Sequence, residues 1–129
     1  MPATISIVHP SDDERRTLAD CMACEAAPLA AYASADALYP TLAPGACGCV
    51  IAHSDLPAPG TLSLIKTLRA RHPALRVVVL GRDADLATAV TFVRAGAVDY
   101  LAPPLSARRL QSIVRWTLAS SPTTRPGAR

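Results

Sequence analysis

Residues 77–104 read VVVLGRDADLATAVTFVRAGAVDYLAPP and contain a strand, a helix and a second strand in succession. Leu75–Leu80 is apolar and β-branched, which predicts a buried strand. An apolar helical stripe follows, made of Leu86, Ala89, Val90 and Val93. We expect this stripe to face the core and the helix to end at Gly96. Val98–Leu101 is predicted to be the next strand, and two prolines stop it. A helix between two such runs indicates two parallel strands joined by a crossover helix.

The same alternation extends through the rest of the chain. The other predicted strands are Ile5–Val8, Leu29–Ala33 and Cys49–Ala52. Three of the predicted helices are preceded by a serine that can act as N-cap, namely Ser11, Ser34 and Ser106. The first of these helices has acidic residues in its first turn, where the helix dipole favours them, and should run to about Ala27. Five strands alternating with five helices predict a parallel sheet covered on both faces. Binding and catalytic residues in such sheets lie at the carboxyl ends of the strands.

Length and composition point to one globular domain. The chain has 129 residues, half of them hydrophobic, and a formal net charge of +3. We expect the folded domain to span 1–119 and the polar stretch 120–129 to be a flexible tail or linker. No apolar run approaches the roughly 20 residues that span a bilayer, and the N-terminus lacks the features of a signal peptide. We therefore expect a cytoplasmic protein that binds neither membrane nor nucleic acid directly.

Two segments resemble the receiver domains of response regulators in two-component signal transduction. GCVIAHSDLPAPG, residues 48–60, resembles their third strand and the loop after it, and residues 77–105 resemble their fourth strand through the start of their fifth helix. The resemblance covers roughly residues 4–118 and is most specific at AGAVDYL. It implies a flavodoxin-like (βα)₅ fold, a doubly wound parallel sheet with strand order 2-1-3-4-5.

The resemblance also implies where phosphorylation chemistry would lie. Receivers place acidic residues after strand 1, a phosphoacceptor aspartate at the end of strand 3, a hydroxyl residue after strand 4 and a lysine after strand 5. The carboxylates hold Mg²⁺, which requires oxygen ligands. In this chain none of these positions holds the expected residue; they are occupied by His9, Pro10, His53, Gly81 and Pro103.

These replacements predict a receiver-like domain that is not phosphorylated in the usual manner. Asp55 is the nearest alternative acceptor, but it lies two residues past the predicted strand end. We expect no catalytic residue, enzyme activity, resident metal or cofactor. The predicted role is that of a phosphorylation-independent signalling module acting through a protein partner or a homodimer.

His9 and His53 support an alternative. Strands 1 and 3 are neighbours in the predicted sheet, so the two imidazoles should lie close together. They could line the pocket, bind Zn²⁺ or Ni²⁺ with a third ligand, or border an anion site at the start of the first helix. The alternative function is therefore a small-ligand, anion or metal sensor, with a pH-sensitive form, because imidazoles titrate near neutrality.

The four cysteines also allow two interpretations. Cys21 and Cys24 form a C-x-x-C motif, and Cys47 and Cys49 form C-x-C. This could be a zinc site if the two pairs meet, but the first pair also fits a helix core stripe with Leu18. Free buried cysteine commonly behaves as a small hydrophobic residue.

The aromatic residues predict an interface. Phe92 and Trp116 fall off the apolar stripes of their helices, Trp116 on the same side as Arg109. Tyr100 occupies the position of the aromatic switch residue in the receiver resemblance. These four residues map to the face formed by helix 4, strand 5 and helix 5, which receivers commonly use to dimerise or to bind outputs. Off-stripe aromatics are candidate interface anchors.

Overall fold

The computed structural model describes residues 3–119, in which strands and helices alternate. The strands are β1 (Thr4–Val8), β2 (Leu29–Tyr32), β3 (Gly48–His53), β4 (Leu75–Leu80) and β5 (Asp99–Leu101). The helices are α1 (Asp12–Met22), α2 (Ala35–Leu38), α3 (Thr61–Arg71), α4 (Leu86–Ala95) and α5 (Ala107–Ala119), with a 3₁₀ turn at Tyr39–Thr41. The strands form one parallel sheet in the order β2-β1-β3-β4-β5, which confirms the predicted fold. The predicted tail lies outside the described residues.

Side-chain caps fix the starts of the helices, as the serines predicted. The Oγ atoms of Ser11, Ser34 and Ser106 accept backbone N–H groups of the residues three positions later. Asp85 caps α4 in the same way, accepting from the amide of Ala87. Each cap satisfies one of the N–H groups that have no partner inside the helix.

Helix α1 ends at Met22, so the predicted end near Ala27 is wrong. The chain must turn back there to enter β2, where the carbonyl of Pro28 accepts the amide of Ile5. Side chains of α5 stabilise this early end: Gln111 Nε2 donates to the carbonyl of Cys21 at 2.9 Å. Arg115 also pairs with Glu25 at 3.0 Å. Tertiary contacts therefore overrule the helix propensity of the alanines that follow Met22.

The sheet divides the core into two layers because side chains alternate across each strand. Val50 and Ala52 face α2, α3 and α4, whereas Cys49 and Ile51 of the same strand face α1 and α5. All four are fully buried. None of the helices within residues 3–119 has the length and apolar character needed to cross a membrane.

Helix α4 has the opposite orientation to the one its sequence predicted. Leu86, Val90 and Val93 were expected in the core, but they are 76%, 41% and 46% exposed. Phe92 was expected to point outward, but it is 7% exposed and stacks on Tyr100 with ring centroids 5.9 Å apart. Most of α4 is apolar on every side, so hydrophobic spacing did not identify the buried side. The largest side chain of the helix, Phe92, takes the buried position.

Candidate functional site at the carboxyl end of the sheet

Four of the five positions that the receiver resemblance assigned to phosphorylation chemistry lie at one edge of the sheet. His9 follows β1, His53 ends β3, Gly81 follows β4 and Pro103 lies two residues past β5. The fifth, Pro10, is exposed beside His9. The ring centroids of His9 and His53 are 4.4 Å apart, with the planes tilted by 48°. This confirms that the neighbouring strands bring the two imidazoles together.

Backbone hydrogen bonds define the protonation of both imidazoles. The amide of Ser11 donates to Nδ1 of His9 at 3.1 Å, and the amide of Asp55 donates to Nδ1 of His53 at 3.0 Å. A backbone N–H can only donate, so each Nδ1 must be an unprotonated acceptor. In this geometry Nε2 is the nitrogen of each ring that remains available to donate.

Burial reinforces the neutral form of His9. Its side chain is 7% exposed, and this burial lowers the pKa of His9 below 6.5. The neighbouring His53 and Arg15 lower the pKa further, whereas the carboxylate of Glu14 raises it. A charged imidazolium is therefore disfavoured next to the second ring.

The same tautomers are unsuited to metal binding. A metal-ligating imidazole normally donates an N–H from its other nitrogen, leaving the metal-bound nitrogen unprotonated. Here Nδ1 accepts in both rings, so Nε2 carries the proton that a metal would have to replace. Within residues 3–119 no group of three or more His, Cys, Asp or Glu side chains could hold a metal ion.

The cysteines lie apart from this edge and occupy different environments. Cys47 and Cys49 are buried, and burial raises the pKa of the Cys49 thiol to about 12, so it stays protonated. Cys24 lies beyond the end of α1 and is exposed, so its predicted place on a helix core stripe is wrong. No disulfide joins any of the four cysteines.

Gly81 and Tyr100 form the most constrained contact at this edge. A Cβ atom at position 81 would overlap the Tyr100 ring, so only glycine leaves the ring enough space. The Tyr100 hydroxyl donates to the carbonyl of Asp83 at 2.9 Å, and the ring stacks on Phe92. The aromatic residue is therefore packed inward, between β5 and the loop after β4.

Two further contacts hold the loops around this edge. Arg82 pairs with Asp55 at 2.8 Å and so joins the loop after β4 to the loop after β3. Both side chains are largely exposed, so this ion pair alone stabilises the fold only slightly. Thr61 Oγ1 donates to the carbonyl of His53 at 2.7 Å and accepts the amide of Leu56. Thr61 was not among the predicted site residues, although a threonine directly after the Gly60 turn is well placed to bond the loop.

The predicted interface residues separate into two groups. Trp116 is 55% exposed, its ring lies 6.0 Å from the Arg76 guanidinium carbon, and Arg109 is exposed. Phe92, predicted to lie off the core side of its helix, is a core residue, and Tyr100 is buried beside it. The participation of these two residues in an interface stays a prediction. Leu86, Val90 and Val93, which were predicted to lie in the core, instead line the outer side of α4. Val90 and Val93 border a groove of about 290 Å³ that Tyr100 also lines.

Comparison with known proteins identifies the family. The model of the response regulator receiver domain matches residues 5–115. Response regulator protein FleR of Pseudomonas aeruginosa is 32% identical over 114 residues, which are 88% of this chain and 24% of FleR. Transcriptional regulatory protein FixJ of Azorhizobium caulinodans is 29% identical over 124 residues, which are 94% of this chain and 58% of FixJ. The chain thus spans less than two thirds of either relative.

Solved receiver structures have the same fold. The receiver domain of NtrX from Brucella abortus superposes with a TM-score of 0.82 at 26% identity, covering 91% of this chain and 99% of that domain. The BeF3-activated DrrB receiver domain also has a TM-score of 0.82, at 17% identity, covering 92% of this chain and 99% of that domain. With the family match over nearly all of the described fold, the chain belongs to the response regulator receiver domain family.

Proposed function

We propose that this receiver domain signals through protein–protein contact without accepting a phosphoryl group. The residues at the carboxyl end of the sheet support this proposal. Two imidazoles, a glycine and two prolines supply neither the oxygen ligands that Mg²⁺ requires nor the permanent positive charge that a lysine would offer to phosphoryl oxygens. Asp55, the nearest carboxylate, is paired with Arg82.

The observation that carries the proposal is the inward Tyr100 ring above Gly81. In the receiver resemblance, the residues at these two positions are the hydroxyl that senses phosphate and the aromatic switch. Here close packing and the bond to the Asp83 carbonyl hold the aromatic ring in place. The arrangement of the adjacent face, formed by α4, β5 and α5, would then be set by packing rather than by phosphate.

That face is the proposed contact surface. It carries the exposed aliphatic residues of α4 together with Trp116 and Arg109. The proposal includes a non-enzymatic role in the cytoplasm, with a protein partner or a second copy bound at this face. The two Nε2–H groups of His9 and His53 favour one alternative, an anion sensor, over the metal sensor.

Mass spectrometry after incubation with acetyl phosphate and Mg²⁺ tests the proposal. We expect no added phosphoryl group on this chain, whereas a receiver that retains its aspartate, treated in parallel, gains one. The Asp55→Asn variant serves as a matched control for the single carboxylate near the site. A Mg²⁺-dependent adduct that is present in the wild type and absent in Asp55→Asn would refute phosphorylation independence.

A further inference from the structure

We infer that the partner bound by the outer side of α4 is an acidic protein segment with apolar side chains at helical spacing, aligned with its acidic end at the C-terminus of α4. This inference rests on the proposed function, because it describes what occupies the same face. It goes further by specifying the chemistry of the partner and its direction.

The outer side of α4 offers an apolar strip that residues 3–119 leave largely uncovered. Leu86, Val90 and Val93 recur at i, i+4 and i+7, so they lie along one side of the helix. They remain between 41% and 76% exposed. The groove of about 290 Å³ beside them ends at Arg94 and Asp99. Such a strip suits a partner helix that contributes aliphatic side chains at the same spacing.

A cationic cleft continues this strip at the C-terminal end of α4. The cleft has a volume of about 310 Å³ and shares Val93 and Arg94 with the groove. Three arginines and four aliphatic residues line it: Arg69, Arg76, Arg94, Ile65, Leu75, Val77 and Val93. Its lining includes no carboxylate. Guanidinium groups beside an apolar floor favour a carboxylate attached to a hydrophobic segment.

Two arginines in this cleft, Arg69 and Arg94, retain donors for a partner. Arg69 crosses the end of α4 and donates from one guanidinium nitrogen to the carbonyl of Ala95 at 3.3 Å. Its other donors remain exposed, since the side chain lies at the surface. Arg94 lies in the last turn of α4 and has no hydrogen bond or ion pair within the described part of the chain. The cleft is therefore positively charged and accessible.

The charge of the whole face favours an acidic partner over a second copy. Residues 86–119 contain four arginines and one carboxylate, Asp99. One of the four, Arg115, is neutralised by Glu25, so three arginines remain against Asp99. The preceding stretch, residues 56–82, contains five basic residues and no acidic one. Two copies joined face to face would bring like charges together, which opposes association. Asp83 and Asp85 stand at the other end of α4, so the acidic end of a partner should lie away from them.

Fluorescence anisotropy with labelled synthetic helices tests the inference on the full chain. One helix of about three turns carries leucines at i, i+4 and i+7 and glutamates at one end; a second carries lysines in place of the glutamates. We expect the glutamate helix to bind about tenfold more tightly than the lysine helix, with an affinity that falls as salt rises. Arg94→Glu should remove or invert this preference.

Arg16→Glu is the matched control, because Arg16 is an exposed arginine on α1 and should leave both affinities unchanged. Circular dichroism verifies that both variants are folded. Equal affinities for the two helices, no binding of the glutamate helix at about 1 mM, or equal effects of Arg94→Glu and Arg16→Glu would each overturn the inference. A dimer in sedimentation that Val90→Asp dissociates and the glutamate helix does not would also overturn it, by identifying a second copy as the occupant. None of these results bears on whether the chain accepts a phosphoryl group. The acetyl phosphate experiment therefore tests the proposed function separately from this inference.

Discussion

The Tyr100 ring lies where a side chain at position 81 would need to be. Its phenol oxygen is bonded to the loop after β4, and its face is stacked on Phe92, so the ring has little freedom to move aside. Any residue larger than glycine at position 81 must therefore displace packed atoms. Overpacking of this kind costs about 1–3 kcal/mol in protein interiors.

Gly81→Ser should lower the free energy of unfolding by about 1–3 kcal/mol, because its Cβ and Oγ would displace the Tyr100 ring. Urea denaturation of the wild type and the variant measures this change. Ala84→Ser, an exposed position in the same loop, is the control and should stay within about 0.5 kcal/mol of the wild type. In the Tyr100→Ala background Gly81→Ser should cost far less; an equal cost in both backgrounds would show that the two residues are not coupled.

Individual residues were predictable where the strand order alone decided their position. His9 and His53 follow neighbouring strands, so their proximity could be inferred from the sequence. Their tautomers could not, because each Nδ1 proton is excluded by a backbone amide whose direction depends on the loop geometry. The ion pair between Asp55 and Arg82 could not be predicted either, since it joins residues 27 positions apart in the sequence.

At the scale of elements, α4 was the least predictable helix. Its ten residues include seven alanine, valine, leucine or phenylalanine side chains, so no continuous polar face marks its solvent side. Phe92 decides the orientation by stacking on Tyr100, a contact that local periodicity does not contain. The end of α1 was missed for a similar reason, because Gln111 and Arg115 lie 90 residues away from their partners.

The orientation of α4 predicts opposite effects for two neighbouring truncations. Phe92→Ala should lower the free energy of unfolding by about 3–5 kcal/mol, because it leaves a cavity beside Tyr100. Val90→Ala, on the exposed side, should change it by about 0.5 kcal/mol or less. Thermal and urea denaturation of the two variants measure the difference. If Val90→Ala were the more damaging change, the helix would have the orientation that the sequence first indicated.

On the scale of the whole molecule, the alternation of strands and helices was sufficient to predict a parallel sheet covered on both faces. The strand order within that sheet came from the resemblance to receiver domains, since apolar runs, serine caps and glycine and proline breaks do not determine it. The charge and the apolar exposure of the surface could not be predicted from these patterns. A net charge of +3 hides a strongly basic stretch across α3 and β4, and hydrophobic spacing did not show which apolar residues stay exposed.

The stability of the whole molecule should depend on pH through His9. Its pKa in the folded state is below 6.5, so above that pH both states hold a neutral ring and the stability is complete. As the pH falls below 6.5, the unfolded chain binds the proton first and the free energy of unfolding decreases until the folded-state pKa is passed. Urea denaturation between about pH 5 and 8 should show this decrease.

His9→Asn is the corresponding control, because its amide oxygen can still accept the Ser11 amide but the side chain does not titrate. We expect a weaker dependence on pH in this variant over the same range. An identical pH profile for wild type and variant would assign the effect to other groups.

The contact between Gly81 and Tyr100 also constrains how this chain can evolve. A hydroxyl residue at position 81 requires the aromatic ring to shrink or move first, and a smaller residue at position 100 leaves an unfilled space until position 81 changes. Each single mutation is therefore unfavourable without the other. Mutational paths from this sequence to one with a phosphate-sensing hydroxyl must cross a less stable intermediate, so drift away from such a residue is easier than return.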